Sequence, residues 1–408
     1  MKKINLVKLG PGLLFAGAAI GVSHLVQSTR AGADFGWGLI WALLLVNLFK
    51  YPFFQFGPRY ALATGESLLD GYYKLGKGYL WFYFALNFAT MFTIQTAVTV
   101  VTAGLASQLF GITTDMVLWS LIITVLCSLL LFFGHYKLLD KMIKVIMVVL
   151  AISSVLAFTI ALFKNDAPIA LDQIFPQGSG LLFLITFLGW MPAPLDISIW
   201  HSIWSLEKNK GNKAAKLSLK EGLFDFNVGY ITTVILALCF MGLGALVMFG
   251  SGTSFSNQGN TFAAQLISLY TTNLGQAAYG IIAIAAFTTM LSTTITTLDA
   301  SPRAMSKTVQ LLFKRPDKNY YTHWLIALAA GTGLIFIFLL SEMGLLVQIA
   351  TVLSFITAPI YAFLNYRLVV SKEMPKEHQP NKKLRITSVI GIVFLSGFTL
   401  FYLFSLLA

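Results

Sequence analysis

The chain has 408 residues, of which 57% are hydrophobic and 11% charged, with a net charge of +12 and a mean hydropathy of +0.77. A soluble domain carries about 25% charged residues. The deficit, together with long apolar runs, places the chain in a bilayer and excludes a soluble nucleic-acid binder.

Apolar segments of spanning length lie near 10–30, 36–58, 79–109, 115–134, 142–163, 179–203, 224–250, 276–300, 321–340, 344–368 and 386–407, eleven in all. The basic residues orient them. With the N-terminus inside (Lys2, Lys3, Lys8), the chain returns to that side at five further segments. These begin at Arg59, Lys137, Lys208, Arg303 and Arg367, and the inside set holds 25 of the 28 Lys and Arg. Outside loops carry only Arg30 and Lys164, and Lys50 lies within a span. This is the positive-inside pattern, so the charge needs no nucleic-acid partner. It predicts a multi-pass cell-membrane protein with a cytoplasmic N-terminus and a C-terminus outside. No small-residue cleavage site follows a short apolar core, so no signal peptide is expected. Cys127 and Cys239 sit in apolar runs and read as buried hydrophobes rather than a disulfide.

In chain order, the first span is interrupted. It reads "GPGLLFAGAAIGVSHLVQSTRAG", with Gly21, Ser23 and His24 near its centre. A plain lipid-facing helix has no use for these. His24 fits a transition-metal ligand or a hydrogen-bonded core histidine. Asn87 and Gln95 place polar groups on the third span. The sixth span, "LLFLITFLGWMPAPLDISIWHSIWS", is interrupted too, by Gly189, Pro192 and Pro194. Two prolines remove two backbone donors and predict a break. Asp196 follows it. An intramembrane carboxylate is a functional candidate, although Asp196 also suits pairing with Lys50 or an acid in the first turn of the second half-helix. His201 suits a relay or a membrane-interface histidine beside Trp200 and Trp204. The outer loop "FGSGTSFSNQGNTF" is uncharged and is expected to be mobile. On the eighth span Asp299 and Arg303 are spaced to pair on one face, as a gate or a structural ion pair, and Pro302 predicts an end or bend there. Gln348, Thr351, Ser354 and Thr357 form a polar ridge on the tenth, facing either a cavity or neighbouring helices.

Five spans separate the starts of the two broken spans, so these enter the membrane in opposite senses. Unwound backbone at membrane depth is tolerated only where it is buried in protein or lines a cavity. Matched breaks in two five-helix halves are the mark of an inverted-repeat transporter with its site at the midplane. The halves are 1–170 and 171–370, with 371–408 adding a loop and an eleventh helix. No zinc-spaced His/Cys cluster, phosphate-cradling loop or serine elbow is present, so no enzyme and no cofactor are expected.

At these residues the sequence resembles the NRAMP family of proton-coupled divalent metal transporters. The resemblance starts at "GPG" (10–12) and runs through "QSTRAGADFGWGLIWALLLVNL" (27–48) and "ALATGESL" (61–68). It continues in "MP" (191–192), "LSTTITTLDA" (291–300) and "LLVQIATVLSFITAPIYAFLN" (345–365). It implies a LeuT-type fold of ten core helices plus one, working by alternating access. Laid on the family's first-helix Asp-Pro-Gly-Asn motif, this chain has Gly21, Val22, Ser23 and His24. The Asp ligand is absent and His24 stands for the Asn. The family's methionine sulfur ligand carries over to Met191, and its proton-linked His falls on Ala193.

Two functions follow. One is secondary transport of a divalent cation of Mn or Fe type, with protons as a candidate symported ion. Its expected site is Gly21, Ser23, His24, Gly189, Trp190, Met191 and Asp196, with His24, Met191 and Asp196 on the metal. His201, Asp299, Arg303, Gln348 and Thr351 are expected to gate or relay. The other is transport of a small organic solute, an amino acid or amine, on the same fold. There Asp196 would meet an amine and Trp190 would form an aromatic wall.

Overall fold

The structure is a computed structural model that describes residues 10–133, 136–165, 169–210, 217–252, 254–339 and 343–405. Lys2, Lys3, Lys8, Lys213, Lys216 and both termini lie outside the described residues, as do the side chains of Lys137, Lys141 and Lys144. The described residues form helices and connections without a strand. Helices occupy all eleven expected segments, and among the described residues seven of them, or eight with the bent first pair, are by themselves long and apolar enough to cross a membrane.

The first span is α1 (Pro11–Ala19), a π-helical turn (Ser23–Ser28) and α2 (Thr29–Phe35), and its two parts meet at a 47° bend. Pro11 opens α1, where its missing N–H costs nothing. Then come α3 (Ile40–Thr64), the short amphipathic α4 (Leu68–Leu75), α5 (Lys77–Phe110), α6 (Met116–Phe132) and α7 (Tyr136–Lys164). The sixth span is two helices, α8 (Ser179–Trp190) and α9 (Ile197–Lys210), as its prolines require. α10 (Leu219–Val247) is followed by α11 (Gly259–Leu274), α12 (Tyr279–Leu312), α13 (Tyr321–Leu339), α14 (Met343–Val369) and α15 (Lys382–Ser405).

Several starts are written locally. Asp115 accepts from the Val117 and Leu118 amides at the head of α6, and Ser218 with Glu221 forms a capping box on α10. α12 is the buried centre of the bundle, 72% buried over its spanning window, whereas α13 and α15 are 22% and 28% buried and form the lipid-facing rim.

Glycines set the closest seam. A Cβ on Gly12 would overlap the Asp225 backbone, and one on Gly229 the Gly12 carbonyl. One on Gly32 would overlap the Met241 carbonyl, and one on Gly244 that of Thr29. Both halves of the first span therefore lie directly on α10, the small-residue mode of helix packing in membranes.

Two expectations are corrected. Of the two outcomes expected at Pro302, an end or a bend, the end does not occur, since α12 runs on to Leu312. A proline removes one intrahelical bond, and the helix resumes beyond it where neighbours pack both sides. The outer loop is not a free segment. Its last residues are the first turn of α11, the Ser256 amide donates to Gln265 at 2.8 Å, and Arg30 donates to the Phe255 and Ser256 carbonyls at 3.1 and 3.0 Å.

Candidate functional site

The two breaks face a small cavity of about 20 Å³. The first span contributes Ala18, Ala19, Val22 and Ser23. The sixth contributes Trp190, Pro194, Ile197 and Trp200. Ile94 and Val98 of α5 and Thr293 and Thr297 of α12 close it. The volume is that of about one water-sized probe sphere.

Neighbouring helices satisfy the unwound backbone. Thr293 donates to the Gly17 carbonyl at 3.2 Å, and Gly21 leaves the space that the Thr293 side chain fills. Ser23 Oγ donates to the Ala19 carbonyl at 2.7 Å. In the π turn, Ser28 donates to the Ser23 carbonyl and Thr29 to that of His24, each five residues back. π turns gather at functional sites. At the second break Gly189 admits the Thr351 carbonyl of α14 against its backbone. The Trp190 indole donates to Ser354 Oγ at 2.7 Å, which fixes the ring as a cavity wall.

Of the seven expected site residues, Ser23 and Trp190 line the cavity, and Gly21 and Gly189 shape the breaks beside it. His24, Met191 and Asp196 do not line it. The three expected metal ligands therefore do not share this space. His24 is fully buried and both ring nitrogens are engaged, Nε2 with the Thr233 carbonyl at 2.9 Å and Nδ1 with Ser23 Oγ at 2.7 Å. A carbonyl only accepts, so Nε2 donates to Thr233, while Ser23 Oγ, beside Nδ1, has a single hydrogen that serves either the Ala19 carbonyl or Nδ1 and not both at once. Met191 is packed among Leu184, Phe187, Leu43, Val46 and Met241. Asp196 is 2% exposed, and its Oδ1 has no hydrogen-bond partner. The hydroxyls of Tyr83 and Tyr361, which interact with it electrostatically, likewise have none. No group of three or more His, Cys, Asp or Glu side chains is close enough to hold a metal ion among the described residues.

A vestibule opens at each end of the broken sixth span. One, about 610 Å³, is lined by Glu66, Ser67, Asp70, Arg303, Lys307 and Tyr321 among others. Arg303 Nε donates to Asp299 Oδ2 at 2.6 Å, and the Tyr321 hydroxyl donates to Oδ1 at 2.7 Å. The expected i,i+4 pair is thus formed, with a tyrosine added. Lys307 pairs with Asp70 at 2.7 Å. Lys74 on α4 donates to both oxygens of Glu66, which raises the pKa of its ammonium above the usual lysine value. The other vestibule, about 530 Å³, is lined by Gln27, Arg30, Thr186, Asn257 and Gln348 among others.

The polar ridge of α14 divides. Gln348 faces the Arg30 vestibule, Ser354 holds Trp190, and Thr351 and Thr357 donate to their own helix. Gln95 accepts from Thr297, a cavity residue, at 2.7 Å. Asn87 is buried without a partner. His201 is buried inside the bundle. It is 1% exposed, stacked on Phe15 at 5.6 Å, and neither ring nitrogen has a partner.

Three residues were missed by sequence reasoning or given too small a part. Asp225 on α10 accepts from the Gly10 and Gly12 amides at 3.1 and 2.7 Å and so caps α1. Thr293 supports the first break. Lys50 of α3 reaches the second. The dense hydroxyls of "LSTTITTLDA" were a usable signal for Thr293. Nothing near Asp225 or Lys50 in sequence names partners more than a hundred residues away.

The protein is 40% identical over 403 residues to an uncharacterized protein of Pasteurella multocida (strain Pm70), covering 97% of this chain and 91% of that one. Its fold is similar to that of a mutant of the manganese transporter of Eremococcus coleocola, with TM-score 0.73 and 14% identity over 97% of this chain and 86% of the other. It is also similar to MhsT in complex with L-phenylalanine, with TM-score 0.63 and 14% identity over 96% and 98%. The fold is therefore the LeuT type that the two broken spans imply. The model for "natural resistance-associated macrophage protein-like" matches residues 12–405, and the chain belongs to that family of membrane transporters of metal ions.

Proposed function

We propose that the chain is a secondary transporter that carries a divalent metal cation of Mn or Fe type between its two vestibules by alternating access. The observation that carries this reading is the small cavity of about 20 Å³ between the breaks, with a much larger vestibule beyond each end. The space suits an ion stripped of most of its water and is far too small for an amino acid. Ser23, Thr293 and Thr297 offer hydroxyl oxygens there. His24 adjoins the cavity through Ser23, and its Nδ1 becomes a ligand when that hydroxyl turns away. Met191 and Asp196 belong to the proposed ligand set only if the second break rearranges toward the ion. The five-helix halves 1–170 and 171–370 are the bodies proposed to rock about the site.

A second reading, transport of a small organic solute, is favoured by the cavity's walls. Trp190, Trp200, Ile94 and Val98 are aromatic or aliphatic, and no carboxylate lines the space. A desolvated divalent ion without an acid is poorly neutralised. This reading requires the two indoles to part.

The test is Mn²⁺ uptake into proteoliposomes with a pH dye in the lumen. The expected result is saturable uptake that His24→Ala lowers about 10- to 100-fold, the range seen when support of a metal site is lost. The dye reports whether protons accompany the ion. Folded protein that takes up no Mn²⁺ but takes up an amino acid saturably would replace the first reading with the second.

A further inference from the structure

Lys50 lies in the middle of α3 with its side chain fully buried. Its Nζ donates to the carbonyls of Leu188 at 2.8 Å, Gly189 at 2.7 Å and Ala193 at 3.4 Å. Leu188 and Gly189 belong to the last turn of α8, and Ala193 to the break. Carbonyls at a helix C-terminus lack intrahelical partners and carry partial negative charge. Asp196, where the chain re-enters helix just past Ala193, is buried on the same break, and its charge is felt at Lys50 without a direct ion pair. The ammonium has three N–H donors, and all three find an oxygen.

Converging neutral oxygens backed by one carboxylate are the ligand set of a small hard cation. Here the occupant is the protein's own side chain. We infer that the second break contains a monovalent-cation site and that Lys50 is its tethered occupant. The site is distinct from the central cavity, whose lining includes neither Lys50 nor Asp196. The inference does not depend on which cargo is carried, and it shares with the metal-transport reading only Asp196, which joins the proposed metal ligands if the second break rearranges. The break of the wild-type protein is held by a covalently supplied charge and needs no free alkali ion. Removing that charge leaves an oxygen cage and a buried carboxylate that a free cation can fill.

The experiment measures thermal unfolding of the purified full-length protein in NaCl, KCl, propylammonium chloride or choline chloride at equal ionic strength. Propylammonium supplies the atoms that Lys50→Ala deletes. Wild-type Tm is expected to be the same in all four salts. K50A is expected to unfold several degrees lower in choline, to recover in propylammonium, and to recover in NaCl or KCl if bare alkali ions also fit. The double variant K50A/D196N is expected to lose this response. A folded K50A whose Tm is the same in every salt would overturn the inference and leave Lys50 as packing. Should K50A not fold in any salt, the wild type decides. A Tm that rises in NaCl or KCl over choline, and does not rise in D196N, would overturn the inference because the site would then be taking a free ion. Indifference to salt would support it. Cargo uptake plays no part in these readouts, so their failure is distinguishable from failure of the metal-transport reading.

Discussion

Asp225 holds the start of the first span through two amide donors and is 1% exposed. Hydrogen bonds to a charged group contribute about 1.5–3 kcal/mol, so Asp225→Ala is expected to lower stability by that order. Thermal unfolding in detergent checks it, and Asp225→Asn, which keeps one acceptor oxygen, is expected to lose less. At this scale the sequence is legible where partners are near. Asp299 and Arg303 are four positions apart on one helix, and they pair. Gly21, Pro192 and Pro194 disturb the helix by their own covalent structure, so both breaks could be placed. Asp225 and Lys50 act across 213 and 138 residues or more. Such pairings arise only after the bundle forms, and no local pattern encodes them. His24 shows the limit from the other side. Its depth was readable, but its two hydrogen-bond partners were not.

Between elements, the glycine seam on α10 decides packing. Gly32→Leu must push α2 off the Met241 backbone carbonyl, which cannot yield as a flexible side chain can. Overpacking of this kind costs about 1–3 kcal/mol, and lower Tm and lower monodisperse yield are expected. Gly397→Leu on α15 meets nothing within 4 Å and is the control, expected to leave both unchanged. The helical segments were readable because hydropathy reports on solvent rather than on partners. α11 was not, because 16 residues of mixed polarity satisfy neither a spanning nor a loop pattern. Pro302 does not end α12 because propensity describes an isolated helix, whereas α12 is braced on most of its surface.

For the whole molecule, the metal-transport reading predicts reciprocal exposure of the two vestibules. Gln310→Cys and Gln348→Cys line opposite vestibules, and the native Cys127 and Cys239 are buried. A membrane-impermeant thiol reagent applied with Mn²⁺ is expected to react faster at one introduced cysteine and slower at the other. Parallel changes at both would count against alternation. The seam on α10 bears on which parts take part. α1 and α2 sit on opposite stretches of one uninterrupted helix, locked at Gly12–Gly229 and Gly32–Gly244. An unbroken helix is a stiff strut, so the two halves of the first span cannot swing apart without bending it. On the alternating-access reading, the gap at residues 20–22 is then a fixed seat, a stator against which the rest would turn. The sixth span is bridged too, by α14, whose Ser354 holds Trp190 of α8 and whose Asn365 donates to Ser198 of α9, but through side-chain hydrogen bonds that can be exchanged, so on the alternating-access reading the work of opening falls to α8 and α9.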